Sequence, residues 1–381
     1  MASAIPHERL AEIVREARAR TGIPAVAAGL VVHGRVELVA DGPVDADTPF
    51  RIASITKWFT ASLAASTLDL DAPAWEGVSA RRLLSHTADL RPDRLEPLPD
   101  PCRGLWSYSN AAFVLAGQAC EAAAGLSYSD AVRERLLEPL GLGATSFDEP
   151  SGAAPGHVQD GETGHRPAPP VEYPASRRGA GGLWSTAGDL LRFAAHQMGG
   201  PGPLSEAQLT AVHEPQAEAL GARYCLGCWR RELGGGRLAL DHEGSVGGYQ
   251  SLLLLVPEEQ TALAVLTNSW RGSGLIRRVA RDLGLVPAPP ESTGGDAIEA
   301  GRYALDNAEA VVSEHGGRWR VEESELDPLT RTRIARPAYG LDALGGGVYG
   351  FAGGLLMGHR VDFPRAGIAR IGWNALPLAA P

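Results

Sequence analysis

The sequence predicts an α+β fold, a β-sheet with a helical insertion, followed by a small β-rich module. Three observations support it: an early helix leads into a hairpin, the middle of the chain has helical periodicity, and strand-like patterns return after residue 223. We expect a first domain over residues 1–285, a Pro/Gly/Ser-rich linker over 286–296 and a β-rich module over 297–381. At 381 residues, 44% hydrophobic and 21% charged, the composition is that of a globular protein.

The first part of the chain predicts a helix, a hairpin and then a set of helices. Residues 1–22 have the pattern of a polar amphipathic helix, and "PAVAAGLVVHGRVELVADG" predicts two strands joined at His33-Gly34. From Ser54 onward apolar residues recur at helical spacing. The segments "SARRLLSHTADL" and "NAAFVLAGQACEAAAGLSYSDAVRERLLEPLGL" predict three more helices, the last two separated at Gly125.

The second part of the chain predicts a capped helix and then strands. "WSTAGDLLRFAAHQM" opens with Thr186 followed three residues later by Asp189, which is a capping arrangement. Residues 145–180 are rich in Gly, Pro and Ala and predict long loops. Four strands are expected from "RYCLGCWRREL", "RLALDHEG", "YQSLLLLVP" and "TALAVLTNS", and a helix from "GLIRRVARDLGL".

Charge and cysteine content exclude several classes of function. A net charge of −10 argues against a nucleic-acid or anionic-membrane partner, which would need a basic face. No secretory signal and no run of 18 apolar residues are visible, so we expect a cytoplasmic protein. The four cysteines are too few for a disulfide framework, and the "CLGC" pair, placed on one strand, is expected to be buried thiol. We expect no metal and no cofactor.

One lysine stands out in the stretch "RIASITKWFT". Lys57 is the only lysine among 35 basic residues, and it lies three residues after Ser54. On a helix these two side chains share a face. A serine hydroxyl needs a neighbour that removes its proton, which a desolvated lysine can do and an arginine cannot. We therefore predict a Ser54 nucleophile with a Lys57 partner; the alternative is an ordinary helix start with a solvated lysine.

Two further motifs carry candidate site residues. Tyr108 and Asn110 in "RGLWSYSNAAF" precede a helix; the phenol is a candidate base and the amide can grip a carbonyl or orient Lys57. The similar "LSYSDAV" at Tyr128 is explained by helix capping. In "LALDHEGSVGG", His242 can position or protonate a leaving group, and the glycines after it allow close approach of another chain. Each motif also has a purely structural interpretation.

Together, S-x-x-K, Y-x-N and H-x-G in this order resemble the serine β-lactamase and penicillin-binding-protein superfamily. The similarity is closest to its class C-like branch, which includes esterases, D-amino-acid peptidases and acyltransferases. "LLSHTADL", "EPLGLGATSF" and "GAGGLWSTAGDLLRF" are similar to other conserved stretches of that branch. The resemblance covers about residues 8–285.

The resemblance implies an antiparallel sheet flanked by helices beside an all-helical subdomain, with the site between them. Ser54 would be acylated, and Lys57 and Tyr108 would share the base role. Asn110 would hold the substrate amide and Lys57, and His242 would occupy the third motif on the edge strand, with Gly244 beside it. The backbone N–H groups of Ser54 and Ser245 would form the oxyanion hole.

A departure from the family pattern limits the functional prediction. Many relatives carry K-T-G or K-S-G where this sequence has H-E-G, so a fixed cation for a substrate carboxylate is missing. We therefore predict a hydrolase of a small-molecule or peptide ester or amide rather than a β-lactamase. A transacylase that passes the acyl group to an amine is the alternative, and a non-catalytic binding protein a third. No G-x-S-x-G elbow occurs, which argues against an α/β-hydrolase. The oligomeric state is left open.

Overall fold

The computed structural model describes residues 9–160, 164–286, 298–306, 308–326, 333–335, 339–345, 348–350, 360–371 and 374–379. Its helices are α1 Leu10–Thr21, α2 Thr56–Thr67, α3 Ala80–Leu84, α4 Asn110–Ala124, α5 Tyr128–Val132, α6 Ala187–Gln197, α7 Glu206–His213 and α8 Ser273–Asp282. A π-helical turn, Arg133–Leu137, continues α5. None of the described helices is long and apolar enough to cross a membrane.

An eight-stranded antiparallel sheet contains the strands β1 Val26–Val32, β2 Arg35–Asp41, β9 Ala217–Ala219, β10 Ala222–Tyr224, β11 Trp229–Leu233, β12 Arg237–Val246, β13 Tyr249–Val256 and β14 Thr261–Thr267. Their order in the sheet is β2-β1-β14-β13-β12-β11-β10-β9. Short pairs lie outside it: β3 Phe50–Arg51 with β8 Trp184–Ser185, β4 Pro73–Trp75 with β5 Val78–Ser79, and β6 His157–Asp160 with β7 Gly164–Pro167.

Apolar side chains cover both faces of this sheet, which explains the unbroken run "LLLL" in β13. Leu253 and Leu255 join the core shared with the middle helices, whereas Leu252 and Leu254 join the core under α1 and α8. Helix α2 is buried almost all round, as expected for a helix inside a domain rather than on its surface. The antiparallel sheet, its flanking helices and the helical subdomain confirm the predicted fold class.

The C-terminal strands form two further antiparallel sheets. The first contains β15 Gly301–Leu305, β16 Ala308–His315, β17 Arg318–Leu326, β18 Arg333–Ala335 and β19 Tyr339–Gly340. The second contains β20 Asp342–Gly345, β21 Val348–Gly350, β22 Arg360–Arg365, β23 Ile368–Ile371 and β24 Asn374–Pro377. These strands fit the β-rich module expected from the sequence; the expected linker, apart from residue 286, lies outside the described residues.

Three local predictions were wrong. The helix expected over residues 79–90 ends at Leu84, because His86 and Asp89 take positive φ angles of 59° and 56°. The "CLGC" segment is a tight turn between β10 and β11 instead of part of one strand, and all four cysteines are buried thiols that form no disulfide. Residues 145–180 are not loop throughout, since they include the β6–β7 hairpin.

Candidate active site

A sharp backbone turn presents Ser54 at the start of α2. Ala53, with φ at 48°, sits in the left-handed region that residues with a side chain rarely adopt, and a short 3-10 turn over Ala53–Ile55 leads into the helix. Ser54 is half-buried, whereas the residues around it are buried. This turn sets the direction in which the Ser54 side chain leaves the backbone, and the hydrogen bond to Lys57 then places its hydroxyl.

Lys57 lies one turn further along and is completely buried. Its Nζ is 3.1 Å from Ser54 Oγ, 2.8 Å from Asn110 Oδ1 and 2.6 Å from the carbonyl oxygen of Ala180. The aromatic rings of Tyr108 and Phe113 close over it, with centroids 4.8 and 5.5 Å from Nζ. Burial therefore lowers the pKa of Lys57 well below its ordinary value, against the opposing attraction of Asp93.

The orientation of the Asn110 amide is set by its other neighbour. Asn110 Nδ2 donates to Asp93 Oδ1 at 3.1 Å, and Asp93 is itself paired with Arg177. The reverse orientation would aim the amide oxygen at a carboxylate. Oδ1 must therefore face Lys57, where it accepts a hydrogen bond.

The partners of Lys57 determine where its lone pair lies. Asn110 Oδ1 and the Ala180 carbonyl can only accept, so they use both N–H groups of a neutral amine. Ser54 Oγ occupies the remaining direction, where the nitrogen lone pair can accept the serine proton. Burial favours the neutral form of Lys57, and in that form this geometry leaves its lone pair facing the Ser54 proton.

Tyr108, whose ring lies over Lys57, also contacts Ser54. Its hydroxyl shares a hydrogen bond with the Ser54 hydroxyl, which lowers its pKa slightly, but burial raises the pKa of the phenol above its ordinary value overall. The phenol consequently keeps its proton near neutral pH. It can donate a hydrogen bond or pass a proton on, whereas a tyrosinate base would need the opposite pKa shift.

His242 is buried on β12 within electrostatic reach of Lys57. Its Nδ1 donates to the Glu243 carbonyl at 2.6 Å, and its Nε2 lies 3.5 Å from the Tyr224 hydroxyl. Burial lowers the pKa of His242 to about 3. The ring is therefore neutral near pH 7, which favours positioning over donation from an imidazolium.

Gly244 and Ser245 continue β12 past the nucleophile turn. A Cβ on Gly244 would lie 2.1 Å from the Ile52 carbonyl oxygen, so only glycine lets the strand pass this closely. Ser251, opposite Gly244, donates its hydroxyl to the same carbonyl at 3.0 Å. Ser245 is exposed beside this contact, and its Oγ accepts from Gln250 Nε2.

The structure thus brings the expected site residues into one neighbourhood, and it adds others. The sequence interpretation missed Asp93 and Ala180, because isolated residues outside α-helices and strands carry no periodic signal. The Tyr128 copy of the second motif lies elsewhere. Ser127 caps the helix that contains Tyr128, and the Tyr128 hydroxyl lies 2.7 Å from Thr60 Oγ1. Capping accounts for that copy, as the sequence suggested.

Comparisons with known proteins give a consistent relationship. The sequence model of the Beta-lactamase family matches residues 10–285. Penicillin-binding protein 4 from Amycolatopsis lactamdurans is 27% identical over 329 residues, which cover 68% of this chain and 85% of that protein.

Solved structures extend the similarity in fold. SurE matches with a TM-score of 0.74 at 23% identity, covering 98% of this chain and 99% of SurE. SurE solved with D-Leu matches with a TM-score of 0.69 at 24% identity and the same coverage. A D-stereospecific amidohydrolase from Streptomyces sp. matches with a TM-score of 0.61 at 22% identity, over 71% of this chain and 97% of that one.

Proposed function

The chain belongs to the beta-lactamase family, and we propose that it cleaves an ester or amide of a small molecule or peptide through an acyl-Ser54 intermediate. The observation that carries this proposal is the arrangement around Lys57: two obligate acceptors hold a buried amine whose third direction is occupied by Ser54 Oγ. A surface lysine that happened to follow a serine would have neither the burial nor the two acceptors.

Acylation follows from this geometry. Lys57 Nζ takes the proton of Ser54 as Oγ bonds to the substrate carbonyl carbon. Backbone N–H groups of Ser54 and Ser245 would hold the resulting oxyanion, a contribution of about 3 kcal/mol for each donor. The leaving group departs with a proton that returns from Lys57 through the Tyr108 phenol. Water then attacks the acyl ester, releases the acid and restores Ser54.

The remaining site residues would hold the substrate. Asn110 uses one N–H of its amide for Asp93, which leaves the second N–H for the substrate carbonyl. His242 would keep the Tyr224 side of the pocket in place as a neutral ring, and Gly244 would keep β12 close to the nucleophile turn.

A D-configured residue near the scissile bond is the substrate class we propose. One structural relative was solved with D-Leu and another is named a D-stereospecific amidohydrolase, which supports this choice. Paired p-nitrophenyl esters of N-acyl-D-leucine and N-acyl-L-leucine provide the test. Faster acyl-enzyme formation on Ser54 with the D-ester, measured by intact-protein mass spectrometry, is expected; equal rates would remove the stereochemical part of the proposal.

Transfer of the acyl group to an amine is the alternative reaction. A neutral Lys57 can accept a proton from an attacking amine as readily as from water, so the same acyl-enzyme serves both outcomes. Product analysis with and without a panel of amines separates them: an amide product that forms faster than the acid would favour the transacylase. Absence of any adduct on Ser54 would favour the third interpretation, a binding protein on this scaffold.

The protonation state of Lys57 can be measured directly, because it is the chain's single lysine. Protein labelled with ¹³Cε-lysine gives one lysine side-chain signal that needs no assignment. We expect its titration midpoint well below the ordinary lysine value in the folded protein and a return to that value on unfolding. An unshifted midpoint in the folded protein would contradict the base assignment.

A further inference from the structure

The loop after α3 carries a buried histidine, His86, that contacts Tyr108 and both of its neighbours in sequence. The His86 carbonyl accepts a hydrogen bond from the Ser107 N–H at 3.2 Å, and His86 Nδ1 accepts one from the Ser109 N–H at 3.0 Å. The imidazole also lies against the Tyr108 ring itself, with centroids 4.2 Å apart. One residue therefore contacts the residue before Tyr108, Tyr108 and the residue after it.

The His86 ring is held rigidly in its turn. Three aromatic rings surround it, with centroids 5.7 Å away for Trp106, 5.0 Å for Phe113 and 4.8 Å for Tyr224. The backbone of His86 adopts a left-handed φ of 59°, which aims the side chain away from the course that a continued helix would give it. Because the ring is closely packed against these neighbours, it holds the loop in place.

The hydrogen-bond pattern defines the state of the imidazole. Because Nδ1 accepts from Ser109, the single ring proton of a neutral imidazole lies on Nε2. Burial lowers the pKa of His86 well below its ordinary value. The acceptor for the Ser109 N–H is therefore present across the neutral range.

We propose that His86 is a positioning residue that holds the Tyr108 hydroxyl against Ser54. The inference rests on the proposed function, since it matters only if Tyr108 moves a proton at Ser54. His86 does not touch the reacting atoms; it acts through Tyr108. Displacement of a catalytic group by about 1 Å costs up to about 100-fold in rate, so loss of this support should be measurable.

A double-mutant cycle tests whether His86 acts through Tyr108. His86→Phe keeps an aromatic ring but removes the acceptor for the Ser109 N–H. We expect it to lower kcat for the preferred leucine ester at least about tenfold, with little change in KM. In a Tyr108→Phe background the same substitution should change kcat less than twofold, because the hydroxyl that His86 positions is already absent. Equal losses in both backgrounds would overturn the inference.

A rescue variant and a matched control separate positioning from stability. His86→Asn places an acceptor oxygen near the Nδ1 position and tolerates a left-handed φ, so it should recover most of the lost kcat. His196 is also buried, and its Nε2 accepts the Leu204 N–H at 3.2 Å, far along the chain on α6. His196→Phe should reduce the melting temperature while leaving kcat of the folded enzyme unchanged.

The outcomes distinguish this inference from the proposed function. A wild-type protein that shows no adduct on Ser54 with a fluorophosphonate would overturn both. An acylated wild type with unaltered kcat in His86→Phe, or with His86→Asn as slow as His86→Phe, would overturn the inference alone. If His86→Phe does not fold, His86→Met fills much of the same volume with only a weak acceptor and takes its place in the cycle.

Discussion

The two sides of the candidate site are built in different ways. Ser54 and Lys57 belong to one helical turn, and the surrounding core of α2 is apolar and continuous. Tyr108 and Asn110 lie where a loop meets α4, and hydrogen bonds to His86, Asp93 and Ala375 hold this segment. The serine side is therefore specified locally, whereas the tyrosine side depends on contacts that are distant in sequence.

The C-terminal module contributes directly to the tyrosine side. Ser107 Oγ accepts from the Ala375 N–H at 3.2 Å, immediately before Tyr108. Arg91 pairs with Asp306 at 2.6 Å, and Leu98 and Cys102 of the same loop share a hydrophobic cluster with module residues. The module thus buries one face of the loop that leads to Tyr108, while the serine side has its support within the first domain.

The largest effect should come from the nucleophile itself. Ser54→Ala removes the atom that forms the acyl bond but preserves the helix turn, so turnover should fall on the order of 10⁴-fold or more with the fold intact. Ester hydrolysis and intact-protein mass spectrometry measure the loss. Retention of an acyl adduct in this variant would place the nucleophile elsewhere.

Lys57→Arg, on the same side of the site, should reduce turnover nearly as much as Ser54→Ala does. Arginine keeps the positive charge, yet its guanidinium cannot release a proton near neutral pH, and it does not fit a pocket closed by Asn110 Oδ1 and the Ala180 carbonyl. We expect kcat within about tenfold of the Ser54→Ala value. Near-normal turnover with correctly folded protein would exclude Lys57 as the base.

This difference in construction also explains what could be predicted from the sequence. The Ser54–Lys57 pair follows from helical spacing, and the singular lysine drew attention to it. The approach of Tyr108 to Ser54 joins residues 54 positions apart, so only the family resemblance pointed to it. His86 was hidden because helical periodicity over residues 79–90 gives no sign of its left-handed backbone.

The central sheet and the turn beside Lys57 differ in how far the sequence predicts them. The apolar patterns of β12 to β14 were sufficient to predict strands, because both faces of the sheet are covered. The tight "CLGC" turn was not predicted: Gly227, at a φ of 71°, approaches the Lys57 carbonyl too closely for any side chain, and that contact is formed only in the folded protein.

Tyr108→Phe tests the tyrosine side with an intermediate effect. The variant keeps the ring over Lys57 but removes the hydroxyl that bonds to Ser54. If the phenol relays the proton, acylation should slow by about 100-fold, measured by rapid-quench mass spectrometry with an alkyl ester that has a poor leaving group. The effect should shrink for esters with good leaving groups, which need less help from a proton donor; a loss independent of the leaving group would indicate a packing role.

The smallest expected effect tests the module contact alone. Asp306 is only 3% exposed and accepts from Arg91, so Asp306→Asn should lower the free energy of unfolding by about 2 kcal/mol. Acylation should slow only a few-fold, because Ser107 and the shared hydrophobic cluster still hold the loop.

The matched control is Asp71→Asn, which breaks an ion pair of the same 2.6 Å length to Arg81 at a side chain that is 71% exposed. There we expect neither stability nor acylation to change measurably, since water screens exposed pairs. If both variants behave alike in urea denaturation and in stopped-flow acylation, the module does not support the tyrosine side. Contacts with the C-terminal strands would then be needed by neither side of the site.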